Sequence, residues 1–229
     1  MSQLIVKAKD VKKIYNQGKP NEVHALRDGD LEIEKGEVIA IMGPSGSGKT
    51  TLLNCISGID TATSGEILVA GEDLQRMPDR KKTKYRAAKM GFVFQTFNLI
   101  PVLSASENVE MPLLVNGFSG TKAKKKAAEM LARVGLGDRL DHKPSELSGG
   151  QRQRVTIARA LVHEPDVVWA DEPTGNLDTK TAQEVIDLMF ELNKNMGVTL
   201  VMVTHDRDVA DQAERIIKIE NGKVIDHGK

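Results

Sequence analysis

The 229-residue chain is predicted to adopt an α/β fold, a parallel sheet with helices on its faces. Three observations predict it. Short β-branched apolar runs alternate with segments of helical spacing over most of the chain. One such run, Glu37 to Met42, leads straight into the glycine-rich stretch GPSGSGKT, Gly43 to Thr50. Another, Val167 to Ala170, ends in paired acids, Asp171 and Glu172. To this core the sequence adds a small antiparallel β layer from the front third and an inserted helical lobe at approximately 96–155. Residues 1–229 are expected to form a single domain, long enough for a sizeable core.

Taken in order, Leu4 to Lys7, Leu31 to Ile33 and Glu37 to Met42 read as strands. A helix is expected from near Gly48 to about Ser57. Ile67 to Val69, bounded by Gly65 and Gly71, is a further strand. Gly91 to Gln95 (GFVFQ) is a short apolar strand ending at a glutamine. Ser104 to Val115 and Thr121 to Val134 have helical spacing, separated by a turn at Asn116 to Gly120. Ser148 is placed to cap a helix carrying Val155, Ile157, Ala158, Ala160 and Leu161, to about His163. Then come strand Val167 to Ala170, helix Thr179 to Asn193 and strand Val198 to Val203. A short helix from Asp206 and strands Arg215 to Ile219 and Lys223 to Ile225 finish the chain. The basic clusters Arg80 to Lys84 and Lys122 to Lys126 are expected on solvated helix faces.

Lysine plus arginine equals aspartate plus glutamate, 32 each, so the formal net charge is zero. No global basic field argues for nucleic acid or an anionic lipid surface. No apolar run approaches a membrane span and the N-terminus lacks the apolar stretch of a secretory signal, which predicts a soluble, cytoplasmic chain. The single cysteine, Cys55, cannot form an internal disulfide and is expected to be a small buried apolar residue.

GPSGSGKT fits the phosphate-loop pattern G-x-x-x-x-G-K-[ST]. Glycines let the backbone turn its N–H groups inward onto phosphate oxygens, and the following helix offers its positive end to the same anion. Gly43, Ser45, Gly46, Ser47, Gly48, Lys49, Thr50 and Thr51 are expected to surround the phosphates. Lys49 reaches the β- and γ-phosphates and the Thr50 hydroxyl ligates Mg²⁺. In VVWADEP, a buried strand delivers Asp171 and Glu172 to its carboxyl end, where such sheets bind ligands. Asp171 is expected to hold Mg²⁺ through water, leaving Glu172 as general base for an attacking water. Gln95, at a strand end, is a candidate contact to metal and water; a glutamine satisfied by backbone is the competing reading. His205, after the strand ending at Val203, is a candidate to hydrogen-bond a γ-phosphate, a role that depends on the pattern around it. Tyr15 in KKIYNQG is a candidate stacking platform for adenine, with Val23 beside it.

LSGGQ, Leu147 to Gln151, has its own logic. Ser148 is an N-cap candidate, and Gly149 and Gly150 permit close approach of an anion to the next helix N-terminus. The phosphate loop already surrounds one nucleotide's tail, so this second grip, with Gln151, is best used on the ATP of another chain. Two copies related by a twofold axis would bury two ATP molecules.

Together these motifs resemble the nucleotide-binding domain of ABC transporters over essentially the whole chain. GPSGSGKT is similar to its Walker A, Gln95 to its Q-loop, LSGGQ to its signature, VVWADE to its Walker B, Asn176 to Asp178 (NLD) to its D-loop and His205 to its switch histidine. The resemblance implies a P-loop NTPase, RecA-like core with an antiparallel β-subdomain and an α-helical subdomain, ATP and Mg²⁺ as ligands, and ATP hydrolysis with Lys49, Gln95, Glu172 and His205 at the reacting phosphate. It adds Asp178 to the nucleotide-binding set. IMGPSGSGKT, GFVFQTFNLIP, ENVEMPL and ADEPTGNLD further resemble the ATPases of the lipoprotein-release and macrolide-export group. This implies a homodimer on the inner face of the cell membrane, held by a permease subunit with few transmembrane helices and a large extracytoplasmic domain. Thr50 replaces the commoner serine but keeps the hydroxyl, and Arg152 stands where the subgroup often has glutamine. A cell-division ATPase regulating wall hydrolases is a neighbouring alternative. A soluble ABC ATPase acting on nucleic acid or the ribosome is a remoter alternative: ribosome-acting relatives usually join two ATPase domains in one chain, and DNA-acting relatives carry a long coiled coil between the Q-loop and the signature. Here about fifty residues separate Gln95 from Leu147, without sustained heptads.

Overall fold

The computed structural model describes residues 3–226. In chain order its strands and helices are β1 (Leu4–Tyr15), β2 (Val23–Leu26), β3 (Leu31–Glu34), β4 (Val38–Met42), α1 (Lys49–Ile56), β5 (Ser64–Val69), β6 (Glu72–Asp73), α2 (Asp79–Lys89), β7 (Met90–Phe94), α3 (Ala105–Val115), α4 (Gly120–Arg133), α5 (Gly149–Leu161), β8 (Val167–Asp171), α6 (Thr179–Met196), β9 (Thr199–Val203), α7 (Arg207–Ala210), β10 (Arg215–Glu220) and β11 (Lys223–Asp226). The chain divides into two compact units, Met1–Arg86 with Thr199–Lys229, and Ala87–Val198. Among the described residues no helix is long and apolar enough to cross a membrane.

In the first unit, VIAIM of β4 and TLVMV of β9 are buried nearly throughout, as continuous apolar strands of a parallel sheet should be. β4 lies between β9 and β10, parallel to both, and β11 closes the edge antiparallel to β10. The antiparallel layer has the order β2-β1-β5-β6, with β3 also paired to β1. Here the structure extends the sequence reading. β1 runs on to Tyr15 and pairs with an unanticipated β2. Its period-2 signal is hidden because the β5 register shifts between Lys9 and Lys12 and Asp10 has φ 52°. A bulge moves the side chains after it to the opposite face from the one simple alternation predicts.

The basic stretch Arg80 to Lys84 does lie on a helix, but Lys82 is buried and its stem covers Gly58. Arg86 Nη1 donates to the Gly58 carbonyl at 2.7 Å. Long basic side chains use their methylenes as apolar cover in this way. On α4, Lys122, Lys124 and Lys125 are exposed, as expected. Cys55 is buried and burial pushes its thiol up to about 12, so it is an inert core residue.

In the second unit, β7 and β8 pair in parallel, from Met90 opposite Val167 to Phe94 opposite Asp171. Helices α3, α4 and α5 pack together, and α5 also packs on β7 and α6. α3 begins with a capping box between Ser104 and Glu107, and α6 ends on Gly197 at φ 65°.

Candidate functional site

The first unit builds the phosphate loop. Buried β4 delivers Gly43 to the sheet's carboxyl edge. A Cβ at Gly43 would strike the carbonyl oxygen of Ile219 and come within 2.7 Å of Ser47 Oγ. Gly48 takes φ 106°, and a Cβ there would lie 2.5 Å from the Ala25 carbonyl oxygen. Only glycine permits both the left-handed turn and the close approach. Inside this cradle Lys49 is 9% exposed, and its Nζ donates to the carbonyls of Gly43 at 2.8 Å and Pro44 at 3.0 Å. Among the described residues Ser47 Oγ is buried with no hydrogen-bond partner. α1 has Gly48 as its N-cap, with no side-chain cap and no acidic residue in its first turn. A buried orphan hydroxyl, an ammonium held by loop carbonyls and an uncapped helix N-terminus form a donor set suited to phosphate oxygens. Ser45, Gly46 and Thr50 lie exposed on the same loop and first turn, and Thr51 is half-buried behind them.

His205 belongs to the same unit. Val203 of β9 lies opposite Ile41 of β4, so Gly43 and His205 each follow two residues beyond paired positions on adjacent parallel strands. His205 is exposed, between buried Thr204 and Asp206, whose Oδ1 accepts from the N–H groups of Asp208 and Val209 to start α7. Tyr15 and Val23 are directly opposite each other across β1 and β2, and both are exposed.

The second unit carries the acids. Val167 to Ala170 are buried and Asp171 ends β8 half-buried. Glu172 leaves the strand at φ 47°, a left-handed conformation costly for a non-glycine residue and frequent at working sites. Its carbonyl accepts from Gly175 N–H at 3.1 Å, closing a tight turn. Because Phe94 pairs with Asp171, Gln95 and Glu172 emerge from neighbouring strand ends. Gln95 is engaged: its carbonyl accepts from Asn176 Nδ2 at 2.9 Å and its Nε2 donates to Asn176 Oδ1 at 3.4 Å. Among the described residues no three or more His, Cys, Asp or Glu side chains gather as a metal site. In this unit the Asp171 carboxylate and the Gln95 amide oxygen are hard oxygen donors of the kind Mg²⁺ favours; in the first unit the Thr50 hydroxyl is another.

LSGGQ opens α5 in the same unit. Ser148 Oγ accepts from Gln151 N–H at 3.2 Å while Ser148 N–H donates to Gln151 Oε1 at 2.9 Å, a reciprocal capping box. Gly149 is half-buried beside them. Gly150 is buried against α6, where a Cβ would strike Thr181 Cγ2. Thr181 in turn donates its hydroxyl, at 2.6 Å, and its N–H, at 3.1 Å, to Asp178, the N-cap of α6. These bonds hold the Asp178 carboxyl below the usual carboxylate range.

Two supporting residues, Gln153 and Arg159, escaped the sequence reading, and a third, Asn176, was read only as part of the NLD motif. Gln153 is fully buried on α5, and its Nε2 donates at 2.5 Å to the Pro173 carbonyl in the turn after Glu172. Arg159 donates to the carbonyls of Phe97, at 3.0 Å, and Asn98, at 2.6 Å, both at positive φ just after Gln95. Asn176 grips Gln95 itself. A signal existed for Gln153, a polar residue four positions before Ile157 on a buried helix face. None existed for Arg159 or for the grip of Asn176 on Gln95.

Residues 26–175 match the family model described as ABC transporter. An uncharacterized ABC transporter ATP-binding protein of Thermotoga maritima is 49% identical over 215 residues, 94% of this chain and 91% of that protein. The lipoprotein-releasing system ATP-binding protein LolD of Legionella pneumophila is 48% identical over 98% of both chains. Among solved structures, the dimeric ATP-binding cassette MJ0796 in a post-hydrolysis state with ADP and Pi superposes with a TM-score of 0.87, at 46% identity and 96% coverage of each chain.

Proposed function

The chain belongs to the ABC transporter family of ATP-binding subunits, and from that premise we propose that it works as a homodimer driving a membrane complex of the lipoprotein-release and export type. It is an ATPase, with ATP and Mg²⁺ as its ligands. The observation that carries the reading is Ser47, a buried hydroxyl with no partner in a glycine cradle beside an ammonium held by two loop carbonyls. A phosphate satisfies all of these at once.

In this reading Lys49 leaves the loop carbonyls for the β- and γ-phosphates, and the N–H groups of Gly43 to Thr51 line the phosphate tail. Bound Mg²⁺ neutralises phosphate charge. Thr50, Asp171 and Gln95 would hold it. Glu172 accepts the proton of the attacking water, and His205 hydrogen-bonds the γ-phosphate. Tyr15, with Val23, carries the adenine. Ser148, Gly149, Gly150, Gln151 and Asp178 serve the nucleotide of the partner copy. Closing the dimer over ATP then moves the membrane subunit. Shifting such an equilibrium from 1:99 to 99:1 needs about 5.5 kcal/mol of differential binding, within reach of a γ-phosphate held from both sides.

The finer assignment is a peripheral protein on the inner face of the cell membrane. Its partner is a permease with few transmembrane helices and a large extracytoplasmic domain, and the work is lipoprotein release, export or mechanotransmission. The likeness to LolD supports it. The experiment is Glu172→Gln. It should retain ATP, lose most turnover and accumulate an ATP-bound dimer by size-exclusion chromatography; undiminished hydrolysis removes Glu172 as the base. Captured with ATP from its own membranes, the variant should bring down a few-helix protein with a large outer domain. A division-site protein instead would redirect the reading to force transmission on wall hydrolases.

A further inference from the structure

Asp60 lies just beyond α1, 45 residues from Tyr15 in sequence, yet the two touch. The Tyr15 hydroxyl donates to Asp60 Oδ2 at 2.9 Å. Asp60 Oδ1 accepts from Lys13 Nζ at 2.7 Å and from the Thr61 N–H at 2.7 Å. Lys13, two residues before Tyr15 on β1, also donates to the Thr61 carbonyl at 2.7 Å, and its ammonium stands 4.7 Å from the centre of the Tyr15 ring. The Lys13 and Asp60 side chains are 12% and 32% exposed, so the pair is largely shielded. Burial opposes the charge on Asp60, but the bonds from Lys13, Tyr15 and Thr61 outweigh it and hold the carboxyl below its ordinary value. The Tyr15 phenol is pushed up, first by burial and then by Asp60, so it keeps its proton and stays a donor.

We infer that Asp60 and Lys13 are positioning residues that fix the Tyr15 ring as a preset platform for the purine base, making this end of the site select for nucleotide over phosphate chain alone. The inference rests on the reading of Tyr15 as the base platform. A tyrosine on an exposed strand end would otherwise lose rotamer freedom on binding, and the tether removes that cost beforehand. The Lys13 ammonium lies over the ring, where the π-face attracts a cation. A base then has the opposite face on which to stack. Through Asp60 the Tyr15 ring is tied to the segment just beyond the last turn of α1. α1 is the eight-residue helix that opens from the phosphate loop. Base platform and phosphate loop are thus set at a fixed separation by one helix of about 12 Å.

The test measures equilibrium binding of ATP and of inorganic tripolyphosphate, without divalent metal so that no turnover occurs. The proteins compared are wild type, Tyr15→Ala, Tyr15→Phe, Asp60→Ala and Lys13→Met. Tyr15→Ala should weaken ATP by about tenfold or more, the loss of a stacked aromatic. Tyr15→Phe and Asp60→Ala should each weaken it about fivefold, the range of one hydrogen bond, with Lys13→Met sharing the direction. None should change tripolyphosphate affinity, and in turnover KM for ATP should rise while kcat holds. If Tyr15→Ala binds ATP like wild type, the platform reading itself fails. If Tyr15→Ala weakens ATP but Tyr15→Phe and Asp60→Ala do not, the positioning inference alone is overturned. Equal losses of ATP and tripolyphosphate in Asp60→Ala also overturn it, because the residue then supports the helix and not the base.

Discussion

α1 and α5 both begin on glycine-bearing turns, and they treat their first N–H groups in opposite ways. At α1 the N-cap is Gly48, which offers no side-chain acceptor, and the neighbouring Ser47 hydroxyl is buried without a partner. At α5 the N-cap is Ser148, and its reciprocal bonds with Gln151 already satisfy one donor at each position. Such a cap contributes about 1 kcal/mol to its helix. At α1 no N-cap side chain competes with an arriving anion; at α5 the anion must share or displace a bond already made. The difference is between a helix end left uncapped by a side chain and one that caps itself. In the proposed function these are the phosphate loop and the signature of the partner copy.

The largest expected effect breaks the open end. Lys49→Ala should lower ATP hydrolysis about a hundredfold or more, because a preorganised charge leaves the reacting phosphate. Ser148→Arg should leave ATP binding to the monomer near wild type while abolishing the ATP-dependent dimer. A mixture of the two variants offers one composite site with both intact motifs and one with neither. Partial recovery of ATP-dependent association, read by light scattering, supports the shared geometry; two inert populations that never associate count against it.

A smaller effect probes how α5 is seated. Gly150→Ala places a methyl on Thr181 Cγ2 and should cost about 1–3 kcal/mol of stability by denaturant unfolding. Adding Thr181→Ser removes that methyl and keeps the hydroxyl bond to Asp178, so the double variant should regain most of the loss. Failure to recover would show that the glycine serves something other than this contact.

The smallest effect is electrostatic. Asp178 titrates below its ordinary 3.8 because Thr181 bonds the ionised form. Its folded value being depressed, its contribution is complete above the unfolded pKa and is lost as pH falls through the lower folded one. Thr181→Val should raise the Asp178 midpoint toward 3.8, as followed by NMR, and should alter stability only in that acidic window.

The parts of the site legible in the sequence are those built over a few consecutive residues. Gly43 to Thr50 must turn sharply between a strand and a helix, and Ser148, Asp178 and Asp206 bond N–H groups two or three residues ahead. Such local geometry repeats wherever the same short string occurs, so pattern reading reaches it. Most of the alternating elements were equally legible; β1 was cut short because its bulge hides the period, and the short strands β2 and β6 were not read. Contacts between distant segments were not. Asn176 holding Gln95 spans 81 residues, Arg159 clamping Phe97 spans 62, and Asp60 meeting Tyr15 spans 45. No spacing rule encodes them.

The sequence by itself determined the α/β class, the family and the positions of the phosphate loop, the paired acids and the LSGGQ turn. The family rests on the likeness of these motifs to known ones; the class and the motif positions follow from short-range backbone sterics, hydrogen bonding or hydrophobic period. Only the tertiary structure decided what stands behind them: Gln153 under the Pro173 turn, Thr181 against Gly150, Ile219 against Gly43, and Asp60 with Lys13 at the Tyr15 ring. Those choices depend on which surfaces meet when apolar strands and helices bury one another. That is a property of the whole packed chain and not of any window within it.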